Sequence, residues 1–109
     1  MFSNDLTYSV DLLCCDIAGT SHHCDEGTAR QLALVETLAL AREPENPYDH
    51  DAIAVLLADR KVGYIPRRHN AVLARLMDAG KHLRARVERV VDLEAGVGFN
   101  AQVVVELRS

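Results

Sequence analysis

The chain has 109 residues, 49% of them hydrophobic and 26% charged, with 12 Lys and Arg against 16 Asp and Glu for a net charge of −4. That is one domain's length of chain, enough to bury a core without disulfide or metal staples, and its sign is not that of a bulk nucleic-acid coat protein. No apolar run reaches the 18 residues of a membrane span, Met1–Asp5 lacks the basic start and apolar centre of a secretion signal, and three cysteines make no disulfide framework, so a reducing cytoplasm is the expected compartment.

Leu6–Ile17 reads as a first strand, with Leu6, Tyr8, Val10 and Leu12 alternating with Thr7, Ser9 and Asp11. Residues 18–27 form a polar loop with glycines at 19 and 27, and it carries Ser21, His22, His23 and Cys24. Residues 28–41 are too densely apolar for periodicity to decide: Ala29–Leu34 fits a short helix and Leu38–Ala41 a strand. The next stretch is the most informative. Pro44 and Pro47 fix φ, remove two backbone donors and bias Glu43 and Asn46 toward extended geometry, so Arg42–Asp51 is a stiff surface loop. It holds an amide, an aromatic ring and a carboxylate close together, at Asn46, Tyr48 and Asp49. The apolar run Ala52–Leu57 anchors it to the core.

Beyond the loop, Ile53, Val55 and Leu57 share one strand face, Asp59-Arg60 is a turn, and Lys61–Ile65 completes a hairpin that Pro66 stops. Ala71–Ala79 is expected to be helical from the stripe Val72, Leu73, Leu76, Met77, with His69 or Asn70 as its cap and Gly80 just past its end. Leu83, Ala85 and Val87 alternate with Arg84, Arg86 and Glu88 in a half-buried strand. Ala101, Val103, Val105 and Leu107 mark a last one, with Glu94–Gly98 as the hairpin loop between them. About six short strands with one or two helices indicate a mostly β (α+β) chain, a small barrel or curled sheet whose loops present chemistry at one mouth.

Charge is unevenly spread. Residues 1–59 hold 2 Lys/Arg against 11 Asp/Glu, residues 60–89 hold 9 against 2, and residues 90–109 hold 1 against 3, giving −9, +7 and −2. The basic third is either a local phosphate-holding surface or a set of solvated strand and helix faces.

Three blocks, Arg42–Asp49, Ala52–Val55 and Lys61–Pro66, resemble the signature of the HIRAN domain family, and the likeness runs over roughly residues 12–107, making residues 1–109 one HIRAN-like domain. The resemblance implies a compact OB-like six-stranded β barrel flanked by helices. It also implies a site, since HIRAN domains of fork-remodelling helicase-like translocases hold the 3′ end of single-stranded DNA in this loop. Carried over, Tyr48 stacks on the terminal base, Asp49 accepts from the 3′-hydroxyl, and Asn46 supports the loop or donates to the nucleotide. Tyr64 and Arg67 fall where polar and basic residues meet the DNA backbone, with Arg68 beside them and Arg84, Arg86 and Arg89 on an exposed strand face expected to extend the basic track. Phe99 is either the late aromatic against a base or a core plug. Ser21, His22 and His23 stand where the family usually places aromatic contacts, a departure that alters contact area. The plain alternative is local: Asn46 and Asp49 bond their own backbone, as such residues do in turns, and Arg67, Arg68, Arg84, Arg86 and Arg89 are solvated.

Cys14, Cys15, His22, His23, Cys24 and Asp25 raise a zinc reading that ligand spacing disfavours, because adjacent strand cysteines point to opposite faces and no second ligand pair exists. One buried cysteine beside a solvent-facing one is preferred, and no cofactor is expected. No phosphate-cradling Gly-Lys-Thr loop or oriented nucleophile and base is present. The function that the resemblance implies is a binding module for single-stranded DNA with a free 3′-hydroxyl, in DNA repair or replication. The alternatives are a protein- or peptide-interaction module using the same groove, and a small nuclease with Mg²⁺ held among Glu43, Glu45, Asp49 and Asp51.

Overall fold

The computed structural model describes residues 8–20, 26–92 and 99–109. Six strands form one antiparallel sheet: β1 (Ser9–Asp16), β2 (Thr37–Arg42), β3 (Ile53–Leu57), β4 (Arg60–Tyr64), β5 (His82–Asp92) and β6 (Phe99–Arg108). Their spatial order is β1-β6-β5-β2-β3-β4. Two described helices, α1 (Glu26–Leu34) and α2 (Arg67–Asp78), join them, so the ambiguous stretch 28–41 resolves into most of α1 and most of β2. Ile53 and Val55 from β3, Val62 from β4, Ala85 from β5 and Val103 and Val105 from β6 are fully enclosed, with Leu32 of α1 and Leu73 of α2 packed into the same core.

The edge strands of this order, β1 and β4, meet just past the end of β1. Ala18 and Tyr64 exchange both backbone bonds, the Ala18 N–H donating to the Tyr64 carbonyl at 2.8 Å and the Tyr64 N–H to the Ala18 carbonyl at 2.9 Å. The sheet thereby curls into a barrel-like form joined at one end, the mostly β, six-stranded fold that the pattern implied. Gly63 makes the approach possible: a Cβ there would lie 2.5 Å from both the Ala18 carbonyl oxygen and Ile17 Cγ2.

The first strand departs from its expected alternation. A bulge between Asp11 and Leu13 sets one extra residue against β6. Side chains alternate with a period of two, so one extra residue inverts the parity beyond it. Leu13 and Cys15 therefore turn to the core, while Tyr8, Val10 and Leu12 are exposed. Cys15 is buried and Cys14 exposed, and burial pushes the Cys15 thiol up to about 11, which leaves it a poor nucleophile or ligand.

Helix α2 starts at Arg67, four residues before Ala71. Pro66 (φ −58°, ψ 143°) occupies the capping position, and no side chain caps the end, so His69 and Asn70 lie inside the first turn. The polar run Arg67–Asn70 has no apolar period to read, whereas a proline bordering the first turn is pre-organised for helix entry. The other end closes as expected: Gly80 takes φ +90°, and the Lys81 and Gly80 N–H groups donate to the Leu76 and Met77 carbonyls, each at 3.0 Å.

Arg84 and Arg86 do not extend a basic track. Arg84 lies opposite Glu106 in the β5–β6 register, and Glu106 lies opposite Asp11 in the β6–β1 register. Arg84 Nε donates to Glu106 Oε1 at 2.7 Å, while Arg86 Nη1 reaches both Glu106 Oε2 and Asp11 Oδ1. Glu106 is only 3% exposed. The hydrogen bond from Arg84, seconded by Arg86, holds its carboxyl below the usual carboxylate range against the opposing effect of burial. A carboxyl depressed in the folded state contributes stability above its unfolded pKa, and loses it as pH falls through the folded value. Asp49, Asp78 and Glu43 are shifted in the same direction. The melting temperature should therefore hold steady near neutrality and fall steadily below about pH 5. Glu106→Gln should melt lower at pH 7 and show a shallower acid decline, which thermal scans from pH 7 to pH 3 will measure.

Candidate nucleic-acid interface

The double-proline loop is held shut at its base and from within. The Glu43 N–H donates to the Ala52 carbonyl at 2.9 Å, bringing the two ends together. Pro44 then turns the chain so that the Asn46 N–H meets the Glu43 carbonyl at 3.0 Å. Asn46 Oδ1 accepts from the Tyr48 N–H, and Asp49 Oδ1 accepts from the Asp51 N–H, both at 2.9 Å. These are the local bonds that short polar side chains offer a turn. Arg42, at the mouth of the loop, fills what remains. Its guanidinium donates to the Ala52 and His50 carbonyls at 2.8 and 3.0 Å and to Asp78 of α2 at 2.9 Å.

Helix α2 pins the loop from the other side. Asn70 Nδ2 donates to Asp49 Oδ2 at 2.7 Å, Arg67 Nη2 donates to the Tyr48 carbonyl at 3.0 Å, and Arg75 pairs with Asp51 at 2.9 Å. Arg67 Nε lies 3.6 Å from Asp49 Oδ2. The Asn70 bond foremost, then the Asp51 N–H, holds the Asp49 carboxyl below its ordinary range, so it is ionised at neutral pH. Tyr48 is fixed at both ends of its own backbone, yet the residue is 84% exposed. The result is an aromatic face presented to solvent on a rigid support.

Asn46, Tyr48, Asp49, Tyr64, Arg67 and Asn70 line one cleft of about 670 Å³. Ala18 and Gly19 border it from the end of β1, so the bridge that joins the sheet edges also forms one wall. The cleft thus brings together an exposed ring, a partly exposed carboxylate and an arginine side chain that is 71% exposed. Tyr64 is more constrained than a free contact residue. Its hydroxyl donates to Glu43 Oε1 at 2.8 Å and accepts from Lys61 Nζ at 2.7 Å, and that ammonium lies 4.9 Å from the ring centre. Burial alone would raise the Glu43 carboxyl, but hydrogen bonds from Lys61, Asn46 and Tyr64 outweigh it and the net shift is downward. A second, shallower cleft of about 660 Å³ lies behind this group, walled by Pro44, Pro47 and Tyr64.

Of the residues singled out from sequence, Asn46, Tyr48, Asp49, Tyr64 and Arg67 converge on the cleft. Arg68 does not line it: its Nε donates to His69 Nε2 at 3.1 Å on the outer surface. Ser21, His22, His23 and Cys24 lie outside the described residues, and Phe99 is described only as the first residue of β6, paired in register with Asp92. Among the described residues no three His, Cys, Asp or Glu side chains form a group suited to a metal ion. The carboxylates of Glu43, Asp49 and Asp51 are each bound to a different cation: Lys61, Arg67 and Arg75. Sequence reasoning named Asn70 only as a helix cap and Glu43 only as a Mg²⁺ ligand, and so missed the bond from Asn70 to Asp49 and the Glu43 carboxylate that joins Asn46 to Tyr64.

Comparison with known proteins bears on the family and the fold. The HIRAN domain family model matches residues 10–108. Over 65 residues, 59% of this chain, the sequence is 42% identical to a helicase-like transcription factor of Oryctolagus cuniculus. That stretch is 6% of the rabbit protein, so the chain spans only a small part of its relative's length. A crystal structure of a protein from Lactobacillus plantarum superimposes with a TM-score of 0.76 at 26% identity, covering 94% of this chain and 98% of that one. The crystal structure of the HIRAN domain of human HLTF superimposes with a TM-score of 0.65 at 24% identity, over 93% of this chain and 75% of that one, a likeness of fold.

Proposed function

The chain belongs to the HIRAN domain family, and from that premise we propose that it is a binding module for single-stranded DNA that prefers a free 3′-hydroxyl end. Family membership supports nucleic-acid binding in general. One observation carries the finer reading: Tyr48, 84% exposed on a fixed backbone, shares its cleft with the Asp49 carboxylate and the Arg67 guanidinium. Every base has a face to stack on an aromatic ring, so Tyr48 takes a strand without regard to sequence. A carboxylate accepts a hydrogen bond from a hydroxyl and repels a phosphate, so Asp49 favours a terminal sugar over an internal linkage. Arg67, in the first turn of α2, offers its guanidinium to the preceding phosphate. No metal or cofactor and no bond-breaking step enter this reading. In the cell such a module would mark or recruit strand ends for a repair or replication partner.

The test is titration of the chain with labelled oligonucleotides ending in 3′-hydroxyl or 3′-phosphate, at several salt concentrations. The hydroxyl end should bind more tightly, and affinity should fall as salt rises. Equal binding of the two ends removes the end-reading role. Strand cleavage on adding Mg²⁺ would point instead to a nuclease, and no binding at low salt to a peptide ligand. Two variants separate the roles. Asp49→Asn should bring the two ends close to the same affinity. Arg67→Gln should weaken both alike and lower the salt slope by about one. Identical behaviour of the two variants would contradict this division.

A further inference from the structure

We propose that Asn70 reads a second sugar hydroxyl, so that a strand whose terminal sugar is a ribose, presenting a 2′,3′-diol, binds more tightly than one ending in deoxyribose. This rests on the end-binding reading above and names the sugar that it takes. Asn70 is 3% exposed in the first turn of α2 and lines the cleft. Its Nδ2 donates to Asp49 Oδ2 at 2.7 Å. An ionised carboxylate only accepts, so the orientation of the amide follows from chemistry: nitrogen toward Asp49, Oδ1 away from it. Among the described residues this Oδ1 has no hydrogen-bond partner, and no fully enclosed side-chain nitrogen or oxygen there lacks one. The oxygen is therefore open to the cleft that Asn70 lines.

A largely desolvated acceptor without a partner carries a cost that a ligand donor relieves. Beside it stands the Asp49 carboxylate, whose oxygens accept from the Asp51 N–H and Asn70 Nδ2 yet keep lone pairs for more. Two neighbouring acceptors call for two neighbouring donors. The vicinal hydroxyls of a terminal ribose supply them, one to Asp49 and one to Asn70, whereas a deoxyribose end supplies one and leaves Asn70 Oδ1 unserved. The 2′-hydroxyl is the group by which a protein distinguishes the two sugars at a given site.

The experiment uses the unaltered chain and one oligonucleotide sequence with four termini: 2′,3′-diol, 2′-deoxy-3′-hydroxyl, 2′-O-methyl-3′-hydroxyl and 2′-deoxy-3′-phosphate. The diol end should bind about three- to tenfold more tightly than the deoxy end, the gain from one neutral hydrogen bond. The 2′-O-methyl end keeps the oxygen without its proton and should lose that gain. Asn70→Ala and Asn70→Ser, each checked for an intact thermal transition, should bind diol and deoxy ends alike, with a lower overall affinity because the bond that orients Asp49 is lost or altered. Equal binding of diol and deoxy ends by the unaltered chain, with its preference over phosphate intact, overturns the role of Asn70 and leaves end recognition standing. Equal binding of all four overturns both. A gain that follows the terminal base instead of the 2′-hydroxyl also overturns it.

Discussion

Gly63→Ala should be the most damaging single-atom addition to this fold, lowering stability by about 3 kcal/mol, at the upper end of ordinary overpacking. The added Cβ would stand 2.5 Å from the Ala18 carbonyl oxygen and 2.5 Å from Ile17 Cγ2. The isoleucine methyl has some freedom to turn. The carbonyl has little, because it accepts the Tyr64 N–H at 2.9 Å and the neighbouring Ala18 N–H is spent on the Tyr64 carbonyl. Relief therefore requires parting the bridge between the sheet edges. For a chain of this size, 1 kcal/mol corresponds to roughly 4–8 °C in melting temperature, so a drop of more than about 10 °C is expected. Gly80→Ala is the instructive comparison. Nothing lies within 4 Å of a Cβ there, and its φ of +90° is the whole difficulty. That change should cost about 1 kcal/mol, from backbone strain alone. Equal melting temperatures for the two variants would show that the close approach at Gly63 is not what joins the sheet. Because Ala18, Gly19 and Tyr64 border the cleft, Gly63→Ala should also weaken binding in proportion to the loss of closure.

What could be read from the sequence follows how far apart the interacting residues are. The loop was legible because its causes are adjacent: Pro44 and Pro47 set their own φ, and Asn46 and Asp49 bond backbone two residues away. The hairpin of β3 and β4 was legible for the same reason, although its turn falls at Ala58-Asp59, with Ala58 at φ +54°, one residue earlier than expected. The local reading of Asn46 and Asp49 holds, since each bonds its own loop, and the same two residues also line the cleft. The rest depended on register and distance. A single bulge in β1 reversed which residues face inward, and no local pattern announces where a bulge falls. The fate of the basic third depended on partners far along the chain, Asp11 for Arg86 and Asp51 for Arg75. The acidic first half supplies much of the neutralising charge, which is why a count of +7 over residues 60–89 overstates the free positive surface. Asn70 was hidden because, just before the apolar period begins at Ala71, it reads as a helix cap, whereas here it lies inside the first turn and faces a carboxylate from a loop 21 residues earlier.

Tyr48→Ala should have the largest effect on binding and almost none on folding. Its side chain is 84% exposed, while the backbone bonds that fix it, N–H to Asn46 Oδ1 and carbonyl to Arg67 Nη2, survive truncation. Surface changes of this kind stay within about 0.5 kcal/mol of the parent. A base stacked on an aromatic ring is worth about 1–3 kcal/mol, so affinity for single strands should fall about five- to 150-fold. Rigidity makes the upper part of that range reasonable, because a platform already held in place pays little to become ordered on binding. Tyr48→Phe should bind nearly as well as the parent, since the ring face, not the hydroxyl, is what stacks. Tyr48→Trp should bind at least as tightly, with indole fluorescence that is quenched on adding DNA. The loss in Tyr48→Ala should also be common to hydroxyl- and phosphate-ended strands, unlike that of Asp49→Asn, because stacking does not sense the terminus. If Tyr48→Ala binds as the parent does, with its melting temperature unchanged, the exposed ring is not the platform, and the cleft beneath it must take a ligand that needs no aromatic face.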